Sequence, residues 1–278
     1  MKVVLAADSA LDLDDFLYEK YKIHLMPVTI TFGEESYQDT IDITSNDIYE
    51  RVKQGADIPK TASTNIVEYY EFFKQFENDN VIFLSMGSGF TSAYQNAVSA
   101  SKEFENIHVI DTKNLSNGMG LLAIMVGEAI QSGQSIDETV LLIEDLIPKV
   151  RVTLMVDTLE YVAKGGRVSA LTKVSAEALK IHPSIAIVDN ELKIGRLFRG
   201  RRDKAAMKYV KEEMKKLDSY DPTLFFVASS TVGDELVNEI VKYIESLNYF
   251  KEIKITNTGS TVSVHTGPGA VGLIGLLK

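Results

Sequence analysis

The sequence predicts an α/β protein with two domains. In residues 1–155, short apolar segments that resemble buried strands alternate with longer segments of helical periodicity. This alternation is typical of a Rossmann-like, mostly parallel sheet with helices on both faces. In residues 156–278, predicted hairpins are mixed with helices, which indicates an α+β domain on an antiparallel or mixed sheet. The length of 278 residues suits two domains of ordinary size.

The elements predicted for the N-terminal domain rest on short apolar runs and on helix-capping residues. Thr44, three residues before Asp47, and Ser135, three residues before Glu138, are typical helix starts. The run 25–32 alternates in polarity, which predicts one strand leading into a hairpin-like excursion. The expected strands are 3–7, 25–32, 81–84 and 107–110, and the expected helices are 48–53, 65–76, 91–104, 115–131 and 139–147.

The C-terminal domain is expected to begin with a strand and a short helix that Gly165-Gly166 stops. A hairpin turns at Asp189-Asn190, and Asp203 is expected to cap the helix behind it. The glycines and proline of 267–269 should lead into an apolar C-terminal helix at 270–277. The expected strands are 151–156, 185–188, 191–198, 224–228, 253–256 and 261–264, and the expected helices are 158–164, 175–181, 203–217 and 233–247.

Composition excludes several classes of function. The formal net charge of −10 argues against a nucleic-acid partner, because phosphate contacts need a basic face. The absence of cysteine excludes disulfides, iron–sulfur clusters and thiol nucleophiles. The 4 histidines form no His-x-x-x-His or His-Glu pair, so no metal site is expected. There is no signal-peptide pattern and no apolar run long enough to span a bilayer, so we expect a soluble, cytoplasmic protein.

Small polar residues follow several of the predicted strands. In open α/β sheets, ligands bind beyond the carboxyl ends of the strands. Hydroxyl groups there can donate to an anion alongside the free N–H groups of a helix N-terminus. Ser, Thr and Asp are also common N-caps, so each segment alone has a structural explanation. The segments are Asp8-Ser9, 85–89, Asp111-Thr112 and 229–231.

Residues of the loop after the strand 81–84 suggest two alternative enzymatic functions. Gly87 and Gly89 precede a predicted helix and Asp111 ends the next strand, a pattern seen in Rossmann-type nucleotide-binding enzymes. A serine stands where that pattern has its third glycine. Ser88, Asp111 and His265 follow the chain order of an α/β-hydrolase triad, although the glycines of the nucleophile motif are incomplete.

Two further segments place hydroxyl and imidazole groups near predicted helix starts. His265 precedes the turn 267–269, beside what looks like a helix N-terminus that could receive a small anion. Thr61 lies in Pro59-Lys60-Thr61, ahead of a helix start crowded with hydroxyls. Capping and an incidental histidine are the structural alternatives.

A basic cluster stands out in this acidic chain. It is either a solvated face or a docking point for phosphate, an acidic partner or anionic lipid. Its members are Arg196, Arg199, Arg201, Arg202 and Lys204.

An ordered set of motifs resembles the DegV family over essentially the whole chain. No single motif decides the matter, but their order and spacing are specific. The motifs are Asp8-Ser9, Pro59-Lys60-Thr61, Phe90-Thr91-Ser92-Ala93-Tyr94-Gln95, Asp157-Thr158-Leu159-Glu160-Tyr161 with Gly165-Gly166-Arg167, Gly200-Arg201-Arg202, and His265-Thr266-Gly267-Pro268-Gly269.

The resemblance implies a two-domain α/β protein that holds one long-chain fatty acid, such as palmitate, stearate or oleate, in a tunnel between its domains. It implies a lipid-binding protein without catalysis or cofactor, similar to the fatty-acid-binding subunit of bacterial fatty acid kinase. A separate kinase subunit would phosphorylate the bound acid to an acyl phosphate for phospholipid synthesis. Transient contact with a membrane surface also fits. The tunnel wall is expected from 115–130 and 270–277.

The resemblance also assigns residues. It places the carboxylate on Thr61, with His265 close by and a second contact from the motif at 90–95. This sequence departs from the family there, with Thr91 at the serine position and Ser92 at the glycine position, so the second donor is Thr91 or Ser92. Arg202, and more weakly Arg167, are expected to contact the kinase partner or the transferred phosphate.

Overall fold

The structure is a computed structural model that describes residues 2–167, 181–231 and 233–278. Residues 60–62 form a strand that the sequence patterns do not predict, but most of its strands lie near predicted ones. The strands are β1 (Val3–Asp8), β2 (His24–Met26), β3 (Thr29–Phe32), β4 (Glu35–Gln38), β5 (Lys60–Ala62), β6 (Asn80–Ser85), β7 (Ile107–Asp111), β8 (Val150–Met155), β9 (Ile181–Val188), β10 (Glu191–Arg199), β11 (Tyr220–Ser229), β12 (Glu252–Asn257) and β13 (Val271–Leu277).

Two helices begin at the capping boxes that the sequence predicts, and residues 15–21 form a helix that the sequence patterns do not predict. Thr44 and Ser135 both form complete capping boxes, with Asp47 and Glu138 respectively. The helices are α1 (Asp15–Tyr21), α2 (Ser45–Lys53), α3 (Ile66–Lys74), α4 (Ala93–Ser101), α5 (Asn117–Gln131), α6 (Ile136–Leu146), α7 (Glu160–Gly165), α8 (Arg202–Glu213), α9 (Glu235–Glu245) and α10 (Ser260–Thr266).

The strands of the described ranges form three sheets. A parallel sheet in the N-terminal part has the order β2-β1-β6-β7, and its central strands are apolar and buried. A small antiparallel sheet has the order β4-β3-β5. A mixed sheet in the C-terminal part has the order β10-β9-β8-β13-β11-β12. The α/β prediction, with a mostly parallel sheet first and a mixed sheet second, is therefore confirmed.

The boundary between residues 155 and 156 stays a prediction. The strand that precedes it, β8, pairs with β13 and β9 and so contributes to the C-terminal mixed sheet. The helix predicted at 175–181 lies outside the described residues, except for Ile181, which begins β9.

Two adjacent predictions near the C-terminus are wrong. Residues 261–264 are not a strand but belong to α10, and 270–277 is not a helix but contains β13. The β-branched residues of α10 favour a strand locally, but the helix is buried almost throughout and tertiary packing decides. The continuous apolar run of β13 is that of a central strand between β8 and β11, buried on both faces.

Two smaller predictions also need correction. The single strand predicted at 25–32 is two strands. Its first part, β2, pairs with β1 up to Met26, and its second part, β3, belongs to the small antiparallel sheet from Thr29. Proline at 27 fits this break, since it cannot donate to a ladder. Asp203 lies in the first turn of α8 rather than at its N-cap, which is Arg201.

Candidate functional site

A cavity lies between the parallel sheet and the mixed sheet. Its wall is mostly aliphatic and is supplied by both halves of the chain. The wall includes Gly272 and Ile274 of β13 and Ala270, the residue that precedes this strand; these are alternate residues that share one face. The other apolar lining residues are Ala10, Val28, Ala62, Met86, Phe90, Leu115, Val152, Leu154, Val156, Val162, Ile185, Leu192, Ala228 and Val262.

Only parts of the two segments predicted to form the tunnel wall line the cavity. Of the segment 115–130, only Leu115 and Ser116 line the cavity, and α5 behind them is buried in the N-terminal core. Val271 and Leu273 of β13 point to the opposite side, where they pack in a second apolar core with residues of α8, α9 and β11. The alternation along a strand explains why Gly272 and Ile274 reach the cavity while Val271 and Leu273 do not.

Thr61 and His265 meet at the cavity wall although they are 204 residues apart. Thr61 lies in the edge strand β5, opposite Ile30, and its Oγ1 is 2.9 Å from His265 Nε2. The other ring nitrogen, Nδ1, is buried without a hydrogen-bond partner. Burial, with a smaller contribution from Arg167, lowers the pKa of His265 to about 4. The ring is therefore neutral at pH 7 and offers one donor and one acceptor.

A glycine makes room for this imidazole. A Cβ on Gly165 would lie 2.5 Å from His265 Nδ1, closer than packing allows. Gly166 then ends α7 in the left-handed region with φ of 67°, and Arg167 follows at the cavity wall. The segment Gly165-Gly166-Arg167 therefore positions both the ring and a guanidinium group.

The second motif brings a further hydroxyl to the same region. Thr91 lines the cavity and its Oγ1 donates to Ser63 Oγ at 3.2 Å. Ser92 Oγ donates to the same Ser63 atom at 3.0 Å, but Ser92 is exposed and lies outside the cavity lining. The geometry thus favours Thr91 over Ser92 as a group that can reach a molecule in the cavity.

The two predicted basic residues occupy different positions. Arg167 is exposed and is the only lysine or arginine among the cavity-lining residues that the structure describes. Its Nη1 donates to the Gly165 carbonyl at 2.7 Å. Arg202 lies away from the cavity lining, where Nε donates to the Gly269 carbonyl at 2.9 Å and the guanidinium pairs with Asp234.

Two other members of the basic cluster form separate ion pairs. Arg196 pairs with Glu212 at 3.1 Å, and Arg201 pairs with Asp203 at 3.0 Å. These exposed pairs each contribute little to stability.

The loop that suggested nucleotide binding is occupied by the protein itself. A Cβ on Gly89 would lie 1.7 Å from the Asn190 carbonyl oxygen, so the tip of the β9–β10 hairpin fills the space above this glycine. Asp111 accepts the backbone N–H of Ser88 at 3.0 Å and its hydroxyl at 2.6 Å. The glycines thus admit a hairpin rather than a pyrophosphate, and the Asp111 carboxylate is committed within its own loop.

The hydrolase alternative lacks its geometry as well. Ser88 Oγ donates directly to Asp111 and accepts from Asn190 Nδ2 at 2.8 Å, while His265 Nε2 is engaged with Thr61. A serine hydrolase needs the imidazole between the serine and the carboxylate.

The end of β1 also serves the fold. Asp8 is fully buried and accepts hydrogen bonds from Tyr69 Oη, Ser85 Oγ and the Met86 backbone N–H. Burial is the largest influence and raises the pKa of Asp8 to about 6.

Within the described residues, no group of three or more His, Asp or Glu side chains is arranged to hold a metal ion. None of the helices in those ranges combines the length and apolarity that a bilayer span requires.

Comparison with known proteins places the chain in a family. A family model described as "Uncharacterised protein, DegV family" matches residues 2–277. The chain belongs to the DegV family. Among curated DegV relatives, the DegV domain-containing protein TTE1491 of Caldanaerobacter subterraneus is 28% identical over 278 residues, or 98% of each chain.

Several solved structures share the fold over almost their full length. A Thermus thermophilus DegV protein described by its fatty acid binding has a TM-score of 0.90 at 24% identity, covering 100% of both chains. A stearic acid-binding protein from Eubacterium ventriosum has a TM-score of 0.85 at 26% identity, covering 100% of this chain and 99% of that one. The Streptococcus pneumoniae Fatty Acid Kinase (Fak) B3 protein, loaded with linoleic acid, has a TM-score of 0.86 at 19% identity, covering 100% of both chains.

Two contributors to the site of this DegV protein escaped sequence reasoning. The hydroxyl-rich segment before α3 predicts capping, but Asn65 caps the helix and Ser63 lines the cavity beside Thr61. Gly165 belongs to a DegV motif and is predicted to stop a helix, and the structure adds that it makes room for His265. The crowding of hydroxyls at 61–64 was the available signal for Ser63, whereas nothing local links 165 to 265.

Proposed function

We propose that this DegV protein binds one long-chain fatty acid in the cavity between its sheets, with the carboxylate against Thr61, Thr91 and His265. The observation that carries the proposal is the cavity itself, which combines an aliphatic wall with a cluster of hydroxyl groups and a neutral imidazole. Fatty acid binding by DegV proteins of the same fold supports it.

The cavity chemistry suits an acyl chain with one polar end. Burying about fifteen methylenes at roughly 0.8 kcal/mol each gives on the order of 12 kcal/mol, before the loss of chain and overall freedom. The head group needs donors, since an unpartnered buried carboxylate is costly. The hydroxyls of Thr61 and Thr91 and the His265 ring supply them, while Arg167 adds a positive charge at the cavity wall.

We further propose that the protein does no chemistry itself and presents the carboxylate to a fatty acid kinase subunit. A carboxylate oxygen would attack the terminal phosphorus of a nucleoside triphosphate that the kinase subunit holds. The bond from that phosphorus to the bridging oxygen would break, releasing the nucleoside diphosphate and giving an acyl phosphate for phospholipid synthesis. The shared fold with the Fak B3 protein supports this role. The proposed setting is the cytoplasm, with transient contact at a membrane surface to exchange the acid.

The head-group assignment predicts weaker binding when both polar partners are removed. Thr61→Ala combined with His265→Ala should weaken palmitate binding at least about tenfold, because each lost hydrogen bond to a charged group is worth roughly 1.5–3 kcal/mol. Native mass spectrometry and calorimetry with palmitate, stearate and oleate measure this.

The matched control is Thr31→Ala combined with His24→Ala, which alters the same residue types outside the cavity lining. An unchanged affinity in the first double variant would remove the head-group assignment. A parent protein that stays empty with all three acids would remove the proposed function.

The kinase role predicts a separation between binding and turnover. Arg167→Ala should leave the palmitate complex formed while reducing acyl-phosphate production by purified fatty acid kinase subunit several-fold, because the guanidinium is exposed beside the head-group site.

The same separation is expected when Arg202 is replaced. The variant should be Arg202→Ala combined with Asp234→Asn, because the alanine alone would leave the Asp234 carboxylate without its partner. Parental turnover in both variants would contradict the assigned contacts.

A further inference from the structure

Helix α10, which carries His265, is held at its start by side chains from the N-terminal half. It has no side-chain cap of its own at Gly259. Instead Asp12 Oδ1 accepts the Gly259 backbone N–H at 2.9 Å, and Asp39 Oδ2 accepts the Thr261 hydroxyl at 2.6 Å. Neither carboxylate belongs to the cavity lining. The helix start is therefore fixed from outside the cavity.

The same small sheet holds both ends of α10. Asp39 directly follows β4, and its backbone N–H donates to the Val28 carbonyl at 2.9 Å beside β3. Thr61 lies in β5 on the other side of β3 and contacts His265. The β4-β3-β5 sheet thus contacts the first turn of α10 through Asp39 and its last turn through Thr61.

The two contacts fall on one side of the helix. Thr261 and His265 are four residues apart, so their side chains lie one above the other. Both also line the cavity. A shift or rotation of α10 that breaks the Thr261 contact must therefore move the His265 ring relative to Thr61.

We infer that Asp39 is a positioning residue for the head-group site, acting through Thr261 to set the place of His265 against Thr61. The inference rests on the proposed fatty-acid site. Asp39 is 1% exposed, Oδ2 receives both the Thr261 and the Ser9 hydroxyls, and Oδ1 is buried without a partner. No salt bridge within the described ranges engages Asp39 or Asp12, so hydroxyl and backbone donors alone hold this carboxylate pair.

The buried carboxyl groups of Asp12 and Asp39 should make the stability of the folded protein depend on pH. The groups that face Asp39 and Asp12 are hydroxyls of Ser9, Ser116, Thr261 and Tyr18, with Asp15 beside Tyr18 as a further negative charge. Burial is the main cause that raises the pKa of Asp12 to about 7 and also raises that of Asp39. Because these folded-state pKa values exceed the ordinary value of 3.8, the stability they contribute is present at low pH. That stability is lost as the pH rises toward about 7.

The test uses the full chain and reads the His265 ring directly. In Thr261→Val, which keeps the side-chain volume, we expect the ¹⁵N shifts of the His265 ring to change in the ligand-free protein and palmitate affinity to fall about tenfold. Asp39→Ala should do the same, and Asp39→Asn, which keeps an acceptor for Thr261, should restore the ring shifts. Asp39→Asn should also flatten the pH profile of thermal stability below pH 7.

Ser9→Ala is the matched control. It removes the other hydroxyl that Asp39 accepts, and it does not touch α10. We expect it to lower thermal stability while leaving the His265 ring shifts and the affinity at parental values. Parental ring shifts in both Thr261→Val and Asp39→Ala would overturn the inference, whatever their stability. Because the shifts are read without ligand, this outcome is distinct from a failure of the parent to bind palmitate.

Discussion

Replacing Gly272 by leucine is expected to lower the affinity for palmitate and stearate by roughly a hundredfold while leaving the fold intact. Gly272 lies in the central strand β13, between Leu154 of β8 and Ala228 of β11. It shares the cavity face with Ala270 and Ile274. A Cβ there would lie 3.2 Å from Ala228 Cβ and 3.4 Å from Ile274 Cδ1, so the remaining leucine atoms must extend into the cavity.

The size of the effect follows from the displaced acyl chain. Each methylene excluded from the cavity loses about 0.8 kcal/mol, so three or four of them account for about two orders of magnitude. Laurate, which is shorter, should lose much less and serves as the internal control. Calorimetry with the three acids, together with a melting curve, makes the measurement. Equal losses for laurate and stearate would show that Gly272 does not limit acyl length.

Replacing Gly89 by valine is expected to open the contact between the loop 87–89 and the β9–β10 hairpin. The Cβ would lie 1.7 Å from a backbone atom of Asn190, and a backbone carbonyl cannot rotate away as a flexible side chain can. Overpacking of this kind costs about 1–3 kcal/mol of unfolding free energy. The hairpin strands also carry Ile185 and Leu192 of the cavity wall, so lipid retention should fall with stability.

The measurement is denaturant unfolding combined with the rate at which bound palmitate exchanges into albumin. Gly33→Asn is the control, because nothing lies within 4 Å of a Cβ at Gly33 and asparagine tolerates its φ of 60°. We expect the control to change neither quantity appreciably. Parental stability and exchange in Gly89→Val would mean that the contact between Gly89 and the hairpin tip contributes neither to stability nor to lipid retention.

Sequence patterns located most of the helices and strands because those elements are locally consistent, but they missed α1 and β5. Thr44 and Ser135 form the capping boxes that their spacing predicts, and the buried strands β1 and β6 are short apolar runs. The patterns failed at α10 and β13, where β-branched residues form a buried helix and a glycine-containing apolar run forms a central strand. Tertiary packing overrides local preference at both.

The candidate site was predictable only in part. The resemblance to DegV proteins points to Thr61, to His265 and to either Thr91 or Ser92. The structure brings Thr61, Thr91 and His265 to one cavity and leaves Ser92 outside its lining. Asp39 gave no signal of its own, because its contact with Thr261 joins residues 222 positions apart. The sequence places Arg202 in a basic cluster and predicts a contact with the kinase partner or phosphate, whereas its pairing with Asp234 depends on how α8 and α9 pack.

The contact between Gly165 and the His265 ring couples two sequence positions that would otherwise be free to vary independently among relatives. Any side chain at 165 removes the space that the imidazole occupies, so neither position can change freely while the other keeps its residue. Among relatives, a residue larger than glycine at the position of Gly165 should therefore accompany a smaller residue at the position of His265. Covariation between these two distant positions would identify DegV proteins that hold the carboxylate without an imidazole.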